Sequence, residues 1–192
     1  MKSFKGHLLV ATPELLDPNF FKSVVLIVQH DEDGALGLIL NRPTQTSIAE
    51  AWAQVSDVPS RLDEPLHLGG PCQGVLMALH TQADVSQVQV LPGIAGSGHS
   101  CPGAGVYFSS EEDAINWLVQ QQQDGPVKLF LGYSGWGAGQ LESELETGSW
   151  STLPASYDHV FGDAEEQWQH VQRQIALQGL PAKVVPKDPR MT

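Results

Sequence analysis

The sequence predicts a single α+β domain organised on a mixed, mostly antiparallel sheet. Three observations carry this. About eight short apolar or alternating runs have strand character. Roughly three to four helical stretches fall among them without the strand–helix alternation of a doubly wound sheet. The chain has 192 residues, 41% apolar and 17% charged, which suits one globular unit rather than a disordered chain. The domain is read over residues 1–192, with a core from residue 4 to 185 and a frayed tail from residue 186.

Residues 7–12, between Gly6 and Pro13, form a first short strand, and residues 13–21 a loop containing Pro13 and Pro18. Ser23 to His30 is the clearest strand, rich in β-branched residues. Asp33-Gly34 then precedes a second apolar run ending at Leu40, which is the pattern of a hairpin. Both runs are nearly continuous in apolar residues, so both faces of the hairpin should be covered. Ser47 and Glu50 have capping-box spacing and start a helix reaching about Val58. Leu66 to Leu68 leads into a tight turn at Gly69-Gly70-Pro71. Residues 74–80 and 85–91 read as strands, 92–103 as an irregular Gly-rich connection, and 105–109 as a further strand. Ser109 and Glu112 repeat the capping-box spacing, and Ala114, Trp117 and Leu118 supply a helical stripe ended by Gly125-Pro126. The glutamine run 120–123 is a solvated face at that helix end. Residues 127–131 form a strand. Leu141 and Leu145 lie four apart in a short helix with Gly148 beyond its end, and 150–153 is a strand. Asp163 and Glu166 open a last helix that directs Trp168, Val171 and Ile175 at the core and stops at Gly179 and Pro181.

Ten Lys+Arg oppose 22 Asp+Glu, a net charge of −12 that repels a polyphosphate backbone. There is no basic helix, aromatic platform or zinc-finger spacing, so direct nucleic-acid binding is not expected. Cys72 and Cys101 allow one disulfide but no disulfide scaffold. The N-terminus lacks an apolar signal region, and no apolar run approaches the ~20 residues of a membrane span. The expectation is a cytoplasmic protein with no membrane partner.

The stretch that most suggests a site runs from Leu129 to Glu142. An apolar run enters Gly132, Tyr133, Ser134, Gly135, Trp136, Gly137, Ala138, Gly139, Gln140, Leu141 and Glu142. Glycine this dense accepts an entropic cost and permits close backbone approach. A nucleophile elbow would need Gly-x-Ser-x-Gly on a strand-to-helix turn, and Trp136 stands where the last glycine belongs. Neither a Walker loop nor Gly-x-Gly-x-x-Gly is present. Two readings stay open: amides around Gly135, Gly137 and Gly139 cradling an anion, or a structural turn under Trp136. Arg42, in Asn41-Arg42-Pro43 at the end of the hairpin, either anchors an anion or pairs a carboxylate. His67, Cys72, His99 and Cys101 are metal ligands by type, but their spacing fits no zinc pattern. Glu142 and Glu146 share a helix face that reads as solvated. No metal and no cofactor is assigned.

The motifs also have a family resemblance. Gly6-His7-Leu8-Leu9-Val10-Ala11-Thr12-Pro13 with Asp17-Pro18-Asn19-Phe20 comes first, then Gly34-Ala35-Leu36-Gly37-Leu38-Ile39-Leu40-Asn41-Arg42-Pro43. Gly69-Gly70-Pro71, Gly105-Val106-Tyr107-Phe108-Ser109, the Gly132 to Glu142 stretch and Trp150 follow. In this order they resemble the AlgH/YqgE family of bacterial proteins over nearly the whole chain. The resemblance implies one α+β domain with a bifurcated, barrel-like sheet, helices outside it, and a bacterial cytosolic setting. It also implies the label of transcriptional regulator, which the family takes from a link to alginate production in some members, without a defined reaction. Residues 92–101 match no family motif and receive no role.

The primary reading is a non-catalytic regulatory protein that binds an unidentified protein or small-molecule partner. Its pocket would gather Asn41 and Arg42, Gly69, Gly70 and Pro71, and Tyr133, Ser134, Gly135, Trp136, Gln140 and Glu142, all at strand ends. The alternative is a small hydrolase-like enzyme using Ser134 or Glu142.

Overall fold

A computed structural model describes residues 2–95, 105–121 and 124–178. Its first half contains β1 (His7–Ala11), β2 (Val24–Asp31), β3 (Gly34–Ile39), β4 (Pro43–Ser47), α1 (Ile48–Trp52), β5 (Pro65–Leu68), β6 (Cys72–His80) and β7 (Gln89–Ala95). The second half contains β8 (Gly105–Ser109), α2 (Glu112–Gln120), β9 (Val127–Gly137), α3 (Gln140–Glu146), β10 (Trp150–Pro154), α4 (Tyr157–Phe161) and α5 (Gln167–Gln178). The strands form one sheet in the order β10-β1-β2-β3-β9-β6-β8-β7, with β4 and β5 branching from β9. Pairing is antiparallel throughout except between β5 and β9. The expected mixed, bifurcated sheet is therefore present. It is an open, forked sheet rather than a closed barrel, with β10 and β7 at the two ends of the path.

The apolar runs explain the centre. Leu8 and Val10, with Val24, Leu26 and Val28, face the main core, which also takes Phe108, Phe130 and, from α5, Val171. Their neighbours Leu9, Val25 and Ile27 face the opposite side and pack with Trp136, Leu141 and Trp150 under α3. On that same side, α1 and α2 cover β6 and the first half of β9 through Ile48, Trp52, Ala114, Ile115 and Leu118. A strand buried on both faces needs continuous apolar sequence, and β1 and β2 have it.

Two irregularities set which way the polar side chains point. A bulge between Ile27 and Gln29 in the β2–β3 pairing turns His30 toward α3. In β9, Phe130 faces the main core and Trp136 the opposite side. Both are even-numbered, so the inside–outside alternation is broken between them. Gly132 makes the break with φ +74°, opposite a register shift between Cys72 and Leu76 of β6.

Several expectations are corrected. β9 does not stop at Leu131 but runs through the glycines to Gly137, so the turn into α3 lies at Ala138 and Gly139. α1 is closed by the expected Ser47–Glu50 capping box yet ends at Trp52. The Gln54 and Val55 amides reach back three residues rather than four, and Val55 is exposed, leaving no apolar face to continue the helix. Ser109 does not cap α2, because its hydroxyl is bonded to His80 inside the sheet and Glu111 takes the N-cap position. β7 begins at Gln89 rather than residue 85. β4 and α4 were not expected, which gives five helices among the described residues rather than three or four. α5 starts at Gln167, after a turn in which the Glu165 amide donates to Asp163 Oδ1 and Glu166 has φ +57°. Gly96, Gly98, His99, Cys101, Gln122, Gln123, Gly179, Pro181 and the tail from residue 186 lie outside the described residues.

Candidate functional site

Two of the three motif segments meet at the fork of the sheet, through backbone. The Gly69 amide donates to the Leu131 carbonyl, and the Gly69 carbonyl accepts from Ile39 N and from Ser134 Oγ at 3.2 Å. A Cβ on Gly69 would lie 2.1 Å from the Gly132 carbonyl oxygen, and one on Gly70 would lie 2.3 Å from Ser134 Oγ. The glycines therefore let β5, β3 and β9 touch main chain to main chain. Ser134 is 0% exposed, and its hydroxyl proton is spent on a carbonyl. That is the arrangement of a structural serine, not of a nucleophile beside a base. Gly135 lies opposite Leu36 in the sheet, and the Gly137 amide donates to Gln140 Oε1, so the Gly137 amide is already engaged.

Asn41 and Arg42 do not join this cluster through their side chains. Asn41 brackets the entry to β2, accepting from Val24 N and donating to the Lys22 carbonyl, both at 2.9 Å. Arg42 Nη2 reaches the Phe21 carbonyl at 3.4 Å; burial lowers its guanidinium below the usual value, and Asp17 opposes the shift. The Arg42 carbonyl does touch the fork strands, accepting from Leu68 N. Pro71 is exposed, and Tyr133 packs against the main core beside β6.

The polar residues of α3 clamp neighbouring segments. Glu142 Oε1 and His30 Nε2 lie 2.9 Å apart, and His30 Nδ1 accepts from Phe4 N at 2.9 Å. Because Nδ1 is an acceptor, the ring proton is assigned to Nε2, which donates to Glu142. Phe4 stacks on His30 at 5.6 Å, so this acid ties the segment before β1 to α3. Glu144 does more. Its Oε2 accepts from both Trp136 Nε1 (2.9 Å) and Trp150 Nε1 (2.8 Å), while Oε1 accepts from Gln140 Nε2 (3.0 Å). Phe20 completes the aromatic cluster, 5.3 Å from Trp150 and 6.0 Å from Trp136. Sequence reasoning missed His30 and Glu144; the two tryptophans flanking an acid-rich helix were the available signal.

Two Ser–His pairs have hydrogen-bond geometry among the described residues: the exposed Ser156 Oγ and His159 Nδ1, 2.9 Å apart where they cap α4, and one buried pair. His80 Nε2 lies 2.9 Å from Ser109 Oγ, and both residues are fully buried. His80 Nδ1 accepts from Gln82 N, so the proton sits on Nε2 and points at the hydroxyl. An imidazole so arranged cannot take the serine's proton. Burial lowers His80 to about 4, and burial with nearby Lys128 does the same to His67. Lys128 is lowered by its own burial and donates to the Gly162 carbonyl at 3.2 Å. Among the described residues no group of three or more His, Cys, Asp or Glu is placed to hold a metal ion.

Among the described residues, an apolar feature is left partly uncovered on the side of the sheet that carries α1 and α2. Leu68 of β5 pairs with Leu131 of β9, which pairs with Leu76 of β6, making one leucine row across three strands. Leu68 is 44% and Leu131 40% exposed. Beside the row, Ala51, Trp52 and Val55 wall an apolar cavity of about 210 Å³ floored by Leu66, Leu76 and Leu129. It shares Trp52, Val55 and Leu76 with a more polar cleft of about 420 Å³ that reaches Val75, Glu112 and Ile115 of the α2 side. Cavity and cleft form one trough. The signal for it was the apolar two-residue spacing of Leu66/Leu68 and Leu129/Leu131 beside too little helix to cover both pairs.

This forked sheet with helices on both faces defines a class of α+β protein already represented among solved structures. The solution structure of the AlgH protein from Pseudomonas aeruginosa superposes with a TM-score of 0.66 at 27% identity, covering 98% of this chain and 100% of that one. The crystal structure of protein DIP2367 from Corynebacterium diphtheriae gives a TM-score of 0.66 at 21% identity, a likeness of fold over 91% and 88% of the two chains. A UPF0301 protein of Chlorobaculum tepidum is 39% identical over 167 residues, 84% of this chain and 81% of its own. One from Chlorobium limicola is 37% identical over 194 residues, 97% and 92%. The AlgH-like family model matches residues 8–179, and the chain belongs to that family.

Proposed function

We propose that this protein is a non-catalytic regulator that works by holding a partner in the trough between α1 and α2, in the bacterial cytoplasm. Any effect on transcription is then indirect, passed through that partner. The observation that carries the reading is the leucine row Leu68–Leu131–Leu76, partly exposed among the described residues and opening into an apolar cavity. Apolar surface gathered into a concave site is what a binding protein leaves open. The chemistry of the other candidates supports the same reading, since Ser134 and Ser109 are buried with committed hydroxyls. A net charge of −12 opposes direct DNA binding.

The test pairs two measurements on the folded protein. The uncharged apolar fluorophore N-phenyl-1-naphthylamine should bind and brighten, and Leu131→Glu should abolish this without changing thermal stability by more than a few degrees. A fluorophosphonate probe should label no serine. Absence of dye binding, or labelling that disappears in Ser134→Ala, would overturn the reading.

A further inference from the structure

We infer that the occupant of the trough is a basic amphipathic helix contributed by a partner protein. The inference rests on the reading of the trough as a partner site and adds the partner's chemistry. Two features define what fits. The first is spacing. The leucine row crosses three strands, a width of two inter-strand steps or ~9.6 Å. Apolar side chains at positions i and i+7 of a helix stand ~10.5 Å apart along its axis on one face, with i+3 and i+4 between them. A helix laid along the row can therefore seat its outer anchors near Leu68 and Leu76 and its middle anchors over Leu131 and the cavity behind it. This is helix-in-groove recognition.

The second feature is charge. The segment that forms the α1 wall, residues 47–66, carries Glu50, Asp57, Asp63 and Glu64 against the single cation Arg61. The entry to α2, residues 110–117, carries Glu111, Glu112 and Asp113 and no cation, with Glu112 lining the cleft. An apolar floor flanked by two acid-rich segments, with Glu112 on the cleft itself, favours a helix whose polar face is Lys- and Arg-rich. The same charge disfavours two alternatives. A second copy of this chain would bring its own acid-rich segments against the first, and an anionic lipid surface would be repelled.

The experiment uses fluorescence anisotropy of a labelled synthetic peptide of about 18 residues, roughly five turns, built only of leucine and lysine with leucines at i, i+3, i+4 and i+7. Two controls accompany it: a scrambled leucine–lysine peptide without an apolar face, and the amphipathic peptide with every lysine replaced by glutamate. The amphipathic basic peptide should bind, and each control should bind at least about tenfold more weakly. Leu131→Glu should weaken binding by about tenfold or more, as should Val55→Glu. Val55 is 74% exposed, so this second variant keeps the fold. The sign is decisive. Both substitutions add negative charge, so an association held by charge alone would tighten, whereas a seated apolar face loosens.

Equal binding of the scrambled peptide, or tightening in both variants, overturns the inference. So does equal binding of the glutamate peptide, or a dimer in sedimentation velocity that Leu131→Glu dissolves, which would make the occupant a second copy. Dye binding without peptide binding ends this inference and leaves the partner site standing. Loss of both ends the two together.

Discussion

Replacing Glu144 by alanine tests whether one carboxylate closes the far side of the sheet. The side chain accepts three hydrogen bonds, two of them from the indoles of Trp136 and Trp150, which are 5% and 4% exposed. Alanine leaves both indole donors without an acceptor, at roughly 1–3 kcal/mol for each buried group. Glu144 itself is half-buried, so water can re-enter beside α3 and recover part of this. The exposed Gln140 bond adds little. The expected loss is about 2–4 kcal/mol, or roughly 4–16 °C in melting temperature for a domain of this size. Glu144→Gln should lose less, about 1–2 kcal/mol. Its oxygen still serves the indoles, but its amide nitrogen faces the Gln140 amide nitrogen. Flipping Gln140 would cure that clash and take the acceptor from the Gly137 amide. Urea unfolding followed by tryptophan emission gives the free energies, and indole Nε1–H resonances report the two bonds directly. A loss below about 1 kcal/mol in the alanine variant, with both indole resonances unmoved, would refute the reasoning.

Three further outcomes are expected. Gly132→Ala should destabilise by more than about 3 kcal/mol, because it forces a side chain into the left-handed region and sets Cβ 2.4 Å from the Cys72 carbonyl oxygen. Gly139→Ala, at φ +71° with open space around its Cβ, should cost only about 1–2 kcal/mol, and equal losses in urea titrations would contradict this account. His67 and His80 should stay neutral in the folded chain at pH 5, as read from their ring proton shifts. Their folded values lie below the unfolded one, so the stability they lend is full above pH ~6.5 and is lost as the pH falls toward 4, up to roughly 3 kcal/mol each. A ring that titrates near 6.5 in the native protein would show the burial argument to be wrong for that residue. Ser134→Ala should cost about 1 kcal/mol in the same unfolding assay and leave dye and peptide binding unchanged; a loss of binding would restore Ser134 as a site residue.

The centre of the fold was legible because its physics is local. Continuous apolar runs and an Asp-Gly turn are enough to place β1, β2 and β3, and the α5 stripe of Trp168, Val171 and Ile175 does pack on the main core. What escaped depended on partners distant in sequence. Ser109 has ideal cap spacing, yet His80, 29 residues away, takes its hydroxyl. β4, with the sequence Pro-Thr-Gln-Thr-Ser, has no apolar alternation and exists only because β5 pairs with it. α4 is capped by Ser156 with His159 in the place where a capping box normally has Glu or Gln. The residues named for a pocket depend on distant partners in the same way. Gly69, Gly70 and Ser134 do converge, but main chain fills the space a ligand would need.

Leu131 and Gly132 make the remaining point, because they are adjacent and their substitution should have opposite consequences. β9 must serve β6 along one edge and both β5 and β3 along the other. It must also send Phe130 into the main core and Trp136 to the far side. A strand with unbroken alternation cannot do both, since its even-numbered side chains all share a face. Gly132 resolves the conflict by spending one residue in a conformation that only glycine adopts cheaply. Loss of that residue should destabilise the fold strongly, and lower any activity with it, so a functional screen alone would score Gly132 as a site. Leu131→Glu changes a side chain that is 40% exposed among the described residues, so it should leave the fold intact and remove binding. Stability and binding measured together on these two neighbours separate the joint that builds the sheet from the surface that uses it.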